Sequence, residues 1–310
     1  MSLKDISKCF ATAGDFFKKT NNNDKYRYKV DISEDIQTIK CNKTTYKFSK
    51  LLGSGAYGKV YLFKSTDSSD EVVLKVEQSD FPTERKISKV LEEQDVYCDT
   101  ILLRYVKSIP QTKNHFYVMN KMSGDLVSLI NNLVLPTKEK GSFKIFLKLI
   151  EHIRLQVSCL AKKGFYYTDL KAGNILYCEE KDNTIVVSLG DLGSVHATHH
   201  YQIATFPPPE YSESRGYFMV KQVKYNEILS WLLGCLAASV VISHIDTLTW
   251  KNGTNIIENT KIFTEQLDKQ CKKYMTKPQI DLIKRMLSLD PKERPDIHEP
   301  FYEFIGVTQL

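Results

Sequence analysis

The chain has 310 residues, 42% of them hydrophobic and 26% charged, with 14 Gly and 10 Pro. That is ordinary globular usage, which excludes collagen-like, low-complexity and wholly disordered chains, and the length suits one large domain or two lobes of roughly 100–200 residues each. Net charge is +6, yet residues 1–50 hold eleven Lys/Arg against six Asp/Glu, so the remainder is nearly neutral.

Residues 1–45 read as a basic, polar N-terminal extension with a loop at Thr20–Asp24. Two readings stay open for it: a docking segment for an acidic partner, nucleic acid or a membrane surface, or solvated lysines. Nucleic acid is not otherwise indicated. The opening MSLKDISKCF has no continuous apolar stretch of the signal-peptide kind. Seven cysteines, an odd number without a Cys-x-x-Cys pair, argue against a disulfide framework or a structural zinc site. They fit a reducing compartment, so an intracellular location, cytoplasmic or nuclear, is expected.

From Tyr46 to Lys121 the pattern predicts strands over 46–52, 59–64, 71–76, 101–107 and 116–121, each with β-branched or aromatic residues between turn signals. One helix, Pro82 to Gln94, falls between the third and fourth strands. After Ser123 the period changes. Phe143, Phe146, Ile150, Ile153, Val157 and Leu160 recur at helical spacing, and Gly164 supplies a stop. Further helices are predicted over Ile228–Ile242 and Pro278–Leu287, the latter with Thr276 as cap. The apolar run 228–242 is shorter than the roughly 20 residues a bilayer span needs and reads as a core helix. The class is therefore α+β, a small β-rich lobe followed by a larger helical one, with the join near Asn120–Ser123.

Gly53-Ser54-Gly55-Ala56-Tyr57-Gly58-Lys59-Val60 joins the first two of these strands. Glycines let a backbone approach a polyphosphate closely and present N–H groups to it; a plain hairpin turn is the alternative. Lys75 ends the next strand among apolar residues and needs an anion, either a phosphate or a carboxylate. Glu84 is the best placed carboxylate, with Glu92 and Glu93 as alternatives. In Tyr167-Thr168-Asp169-Leu170-Lys171-Ala172-Gly173-Asn174 a carboxylate, a cation and an amide oxygen stand at n, n+2 and n+5. Phosphoryl transfer needs a group to orient and deprotonate a hydroxyl, a positive charge at the transferred group and an oxygen ligand for a metal. Asp191, within Gly190-Asp191-Leu192-Gly193, adds a carboxylate suited to Mg²⁺.

Taken in this order, the elements resemble the eukaryotic-type protein kinase family from about Tyr46 to Pro300. The resemblance implies a bilobal kinase fold, with an N-lobe over 46–122 and a C-lobe over 123–310. It also implies Ser/Thr kinase activity on protein substrates, with ATP and Mg²⁺ as cofactors, in a monomer. By resemblance the loop Gly53–Gly58, with Leu52 and Val60 on either side, covers ATP. Lys75 holds its phosphates and Glu84 holds Lys75. Asp169 is the base, Lys171 steadies the γ-phosphate, and Asn174 and Asp191 bind the metal. Met119, Asn120 and Met122 form the hinge, and Asp125 is a candidate for the ribose. Val118–Leu126 and Asp169–Asn174 look most like the casein kinase 1 and vaccinia-related kinase branch, and the Lys- and Asn-rich composition would suit a viral or unicellular-parasite enzyme. Pro208-Pro209-Glu210 and the segment Leu289–Pro295 resemble the family's structural partners, implying a buried Glu210–Arg294 pair.

Three departures stand out. Tyr167-Thr168 replaces His-Arg ahead of Asp169, which removes the usual receiver of a phosphorylated activation loop and predicts activity independent of such phosphorylation. Leu192 replaces Phe. Leu229 falls where the family has an Asp that supports the catalytic loop, leaving that support to another group, with Ser230 the candidate. These departures keep a second reading open, a nucleotide-binding pseudokinase acting as a scaffold. A small-molecule kinase is disfavoured by Pro209-Glu210 with Arg294. His196, His199 and His200 read as polar loop rather than a metal site, and Trp231 and Trp250 as packing residues.

Overall fold

The structure, a computed structural model, describes residues 30–33, 35–41, 43–55, 58–78, 104–109, 114–133, 140–179, 185–196, 207–214, 217–220, 225–244, 256–272 and 274–305. The helix expected over 82–94, and with it Glu84, Glu92 and Glu93, lies outside these residues, as do Ala56, Tyr57, His199, His200 and Trp250. The described residues divide into two compact units, one ending at Ser123 and including 178–185, the other formed by 124–177 and 186–310.

The first unit is built on a seven-stranded sheet. Its strands are β1 (Val30–Ile32), β2 (Thr38–Cys41), β3 (Thr44–Gly55), β4 (Gly58–Ser65), β5 (Glu71–Gln78), β6 (Arg104–Ile109) and β7 (Asn114–Asn120), in the order β1-β2-β3-β4-β5-β7-β6. Every paired neighbour is antiparallel. Alternation puts Tyr46, Phe63, Leu74, Phe116 and Val118 together with Ile39 in one buried cluster. Each such side chain contributes about 1.5–3 kcal/mol when fully buried. The strands expected from Tyr46 onward are all present, each a few residues longer or shifted.

Residues 30–45, however, were expected in a polar extension and are instead partly sheet. Ile39 on β2 is fully buried against the cluster and Ile36 packs beside it, although the strands there are too short to display alternation.

The second unit is mainly helical. Its described helices are α1 (Leu126–Leu133), α2 (Lys140–Lys162), α3 (Tyr225–His244), α4 (Ile256–Gln270), α5 (Lys277–Met286) and α6 (Tyr302–Ile305). Shorter strands are β8 (Gly124–Asp125), β9 (Tyr166–Tyr167), β10 (Ile175–Glu179), β11 (Ile185–Leu189), β12 (Val195–His196), β13 (Tyr211–Ser214) and β14 (Tyr217–Val220). Helix α2 ends as its sequence requires: Gly164 takes φ 78°, and the N–H of Phe165 reaches back to Leu160 O at 2.9 Å. The α3 segment is buried on all sides from Ile228 to Ala238, including Trp231. Among the described residues no helix is long and apolar enough to cross a membrane. Helix α5 starts at a capping box, in which Thr276 Oγ1 accepts from Gln279 N and Gln279 Oε1 accepts from Thr276 N. Cys159, buried on α2, is disulfide-bonded, while Cys178, Cys235 and Cys271 are thiols outside any disulfide. An odd cysteine count excludes complete pairing, not a single bridge.

Candidate active site

In the helical unit, the loop between β9 and β10 carries Asp169. Asp169 Oδ2 accepts from Lys171 Nζ at 2.7 Å and from Asn174 Nδ2 at 2.8 Å, and Asn174 Nδ2 also donates to Asp169 O at 2.9 Å. The three polar residues read from the sequence thus form one cluster, with Asp169 only 9% exposed. Charge-assisted bonds of this kind fix the carboxylate's orientation. Asn174 directs its NH₂ group to Asp169, so its amide oxygen is the atom it can offer a cation.

Asp191 is placed by the strand before it. Gln156 of α2 donates from Nε2 to Val187 O at 2.7 Å and accepts from Leu189 N at 3.0 Å, which fixes β11. Gly190 N then donates to Asn174 O at 2.7 Å, and Tyr167 Oη donates to Gly190 O at 2.7 Å. A Cβ at Gly190 would stand 3.0 Å from Leu176 Cγ and 3.1 Å from Asn174 O, a crowding that glycine relieves. Asp191 follows, exposed and in the left-handed region with φ 45°. Non-glycine residues there carry strain of about 1–2 kcal/mol, least for Asp and Asn, and such strain recurs at functional positions. Leu192, in place of the expected Phe, is buried.

A hard cation suits these donors, an amide oxygen from Asn174 and a carboxylate from Asp191. Among the described residues no group of three His, Cys, Asp or Glu side chains gathers to hold a metal. A cation held here would complete its shell with water and ligand phosphates, as Mg²⁺ does.

The departures resolve unevenly. Thr168 is fully buried, so an arginine would not fit there without rearrangement. Leu229 is fully buried, and Ser230 Oγ is buried with no hydrogen-bond partner among the described residues, so Ser230 does not support the loop. Tyr225, at the first turn of α3, does: its hydroxyl donates to Tyr167 O at 3.3 Å, and its ring lies 4.0 Å from that of Tyr166. Neither Tyr225 nor Gln156 was singled out from the sequence. Gln156, a polar residue one turn from Ile153 on the apolar side of α2, carried a readable signal; Tyr225 carried none.

The structural pair expected between Glu210 and Arg294 is present. Arg294 Nη1 and Nη2 reach Glu210 Oε1 and Oε2 at 2.6 and 2.8 Å, and the guanidinium also donates to Ser288 O and Glu227 O. It lies 4.9 Å over the Trp231 ring, which makes Trp231 the packing residue it was expected to be.

In the sheet unit, Leu52, Gly53, Ser54, Gly55 and Gly58 lie on the β3–β4 hairpin, with Val60 paired to Lys75 across β4 and β5. Every residue from Lys47 to Gly55 is exposed. A Cβ on Gly53 or Gly55 would meet nothing within 4 Å, so packing does not require glycine at either position. Lys75 pairs on its other side with Tyr117, and Met119 with Val73. Asn120 ends β7, and Met122 follows it half-buried. Lys121 is held by Glu71 at 2.6 Å, which keeps the Glu71 carboxyl below its ordinary range. Asp125, in the helical unit, caps α1: its Oδ1 accepts from Ser128 N at 2.8 Å, and its N donates to Ser128 Oγ at 3.1 Å.

Comparison with known proteins finds protein kinases. Human protein kinase C delta type is 22% identical over 293 residues, covering 87% of this chain and 40% of that protein. The calcium/calmodulin-dependent protein kinase cmkA of Emericella nidulans is 23% identical over 263 residues, covering 83% of this chain and 61% of that protein. The rat serine/threonine-protein kinase ICK is 22% identical over 285 residues, covering 81% and 43%. The chain thus spans about two fifths to three fifths of the length of these relatives. Residues 46–302 match the protein kinase domain family, and with the α+β bilobal class and the Asp169 cluster in hand, the chain belongs to that family.

Proposed function

We propose that this chain is a serine/threonine kinase that transfers the γ-phosphate of Mg-ATP to Ser and Thr hydroxyls of protein substrates. One observation carries the reading: Asp169 is held at Oδ2 by both Lys171 and Asn174 inside a kinase domain, the polar set that phosphoryl transfer requires. In this reading Asp169 orients the attacking hydroxyl and accepts its proton. Lys171 stabilises the charge of the group in transfer. Asn174 and Asp191 would hold Mg²⁺, which neutralises phosphate charge when bound. Leu52 to Val60, Lys75 with Glu84, Met119, Asn120, Met122 and Asp125 would hold the nucleotide. The open space at Gly53 and Gly55 supports that role, because a phosphate chain can approach a backbone without Cβ atoms. The likeness of Val118–Leu126 and Asp169–Asn174 to the casein kinase 1 and vaccinia-related kinase branch makes casein a reasonable first substrate. An intracellular setting, and an acidic partner for the basic segment before Val30, complete the proposal.

The competing reading, a scaffold that binds nucleotide without transfer, is favoured by Leu229 and the unpartnered Ser230. Purified chain with labelled ATP, Mg²⁺ and casein separates the two. Wild-type transfer that falls about 10²–10⁴-fold in Asp169→Asn supports the kinase. Nucleotide binding with no transfer selects the scaffold, and transfer that survives Asp169→Asn removes Asp169 from its role. Phosphatase treatment should leave activity intact, because Thr168 supplies no cation for a phosphorylated segment.

A further inference from the structure

The hydrogen bonds around Asp169 close into a ring that no side chain at positions 229 or 230 enters. Tyr167 Oη donates to Gly190 O, Gly190 N donates to Asn174 O, and Asn174 Nδ2 donates to Asp169, two residues along the chain from Tyr167. The ring ties the residue before Asp191 to the loop that carries Asp169. Tyr225 Oη donates to Tyr167 O, which anchors the ring on α3. Tyr225 precedes Leu229 by four residues on α3, so the two share a helix face one turn apart. At Leu229 that face offers only a buried aliphatic group. One turn earlier, the long phenol side chain spans the gap.

From this geometry we infer that Tyr225 and Tyr167 are positioning residues: a two-tyrosine tether that sets Asp169 and Asp191 relative to each other, anchored on α3 through Tyr225. The inference rests on the kinase reading for its catalytic half and on the structure alone for the tether. Tyr167 is fully buried, and Gly190 is buried with it, so loss of the phenol leaves a buried carbonyl short of its donor. Tyr225 is half-buried, and its ring lies against Tyr166. Phenylalanine keeps that ring and deletes only the hydroxyl.

The experiment pairs hydrogen exchange with steady-state kinetics on the full chain, using Tyr225→Phe, Tyr167→Phe, the double variant and Ser230→Ala. Tyr225→Phe is expected to speed amide exchange across residues 166–175. It should also lower kcat about threefold to tenfold, the worth of one hydrogen bond, with KM for ATP unchanged. A merely structural role would lower thermal stability without that split. The two Phe substitutions should combine non-additively in kcat, since both act through Tyr167. Ser230→Ala should change neither readout. Unchanged exchange in Tyr225→Phe overturns the tether whether or not the chain transfers phosphate. Faster exchange with kcat unaltered in an active wild type overturns the positioning role. A wild type that transfers nothing overturns the kinase reading and the catalytic half of this inference together, while the exchange result still decides the tether.

Discussion

The loop at 166–175 and the hairpin joining β3 to β4 are both short, polar and glycine-bearing, yet they are built in opposite ways. In the loop, Tyr167, Thr168 and Asp169 are buried, and each polar group named above has a partner within the same unit. In the hairpin, residues 47–55 are exposed and a Cβ on Gly53 or Gly55 would meet nothing within 4 Å. Two register shifts, between Phe48 and Lys50 and between Leu51 and Gly53, bend its strands away from regular pairing. The difference teaches where order is invested. Charged groups that must meet in one geometry are fixed by their neighbours beforehand, because reorganising them later costs free energy. In the hairpin the pairing of β3 with β4 sets the backbone, and the space around Gly53 and Gly55 is left open.

Breaking the interlocked side should have the largest effect. Arg294→Ala would strand Glu210 and remove the cation above Trp231, and a loss of about 3–5 kcal/mol in denaturant unfolding is expected. A loss below about 1 kcal/mol, the range of exposed pairs, would mean that the helical unit is held together otherwise. The hairpin sharpens the contrast within itself. A Cβ at Gly58 would stand 2.2 Å from Val76 O, so Gly58→Ala is expected to cost about 1–3 kcal/mol. Gly53→Ala, with open space around it, should stay within about 0.5 kcal/mol. If both alanines cost the same, the hairpin is not the unpacked element described.

The smallest effect concerns pH. Burial, and secondarily the charge of Lys148, holds the His152 imidazole of α2 below its ordinary value of 6.5. The unfolded chain therefore binds a proton that the folded chain does not, between the lowered value and 6.5. This contribution to stability is complete above 6.5 and shrinks as pH falls toward the lowered value. Unfolding free energies compared between wild type and His152→Gln from about pH 8 to about pH 5 should diverge at the acid end. Parallel curves would remove His152 from the account.

Much of the fold was legible because its signals are local. Helix α5 with its Thr276 cap, α2 with its Gly164 stop and the strands after Tyr46 follow from periodicity and termination residues within one short window. The cluster of Asp169, Lys171 and Asn174 was legible for the same reason, since the three residues lie within five positions. The Glu210–Arg294 pair spans 84 positions and was reached through family resemblance.

Local pattern by itself determined the order of elements, the apolar faces and the chemical identity of the candidate catalytic groups, because side-chain type and spacing settle those within a few residues. Tertiary structure alone decided that β1 and β2 join the sheet, that Thr168 is sealed from solvent, that Ser230 is idle and that Tyr225 holds the loop. The last of these depends on a partner far along the chain, 58 residues separating Tyr225 and Tyr167. A hydrogen bond of that range forms only once packing has brought its two ends together, and no spacing rule records it beforehand.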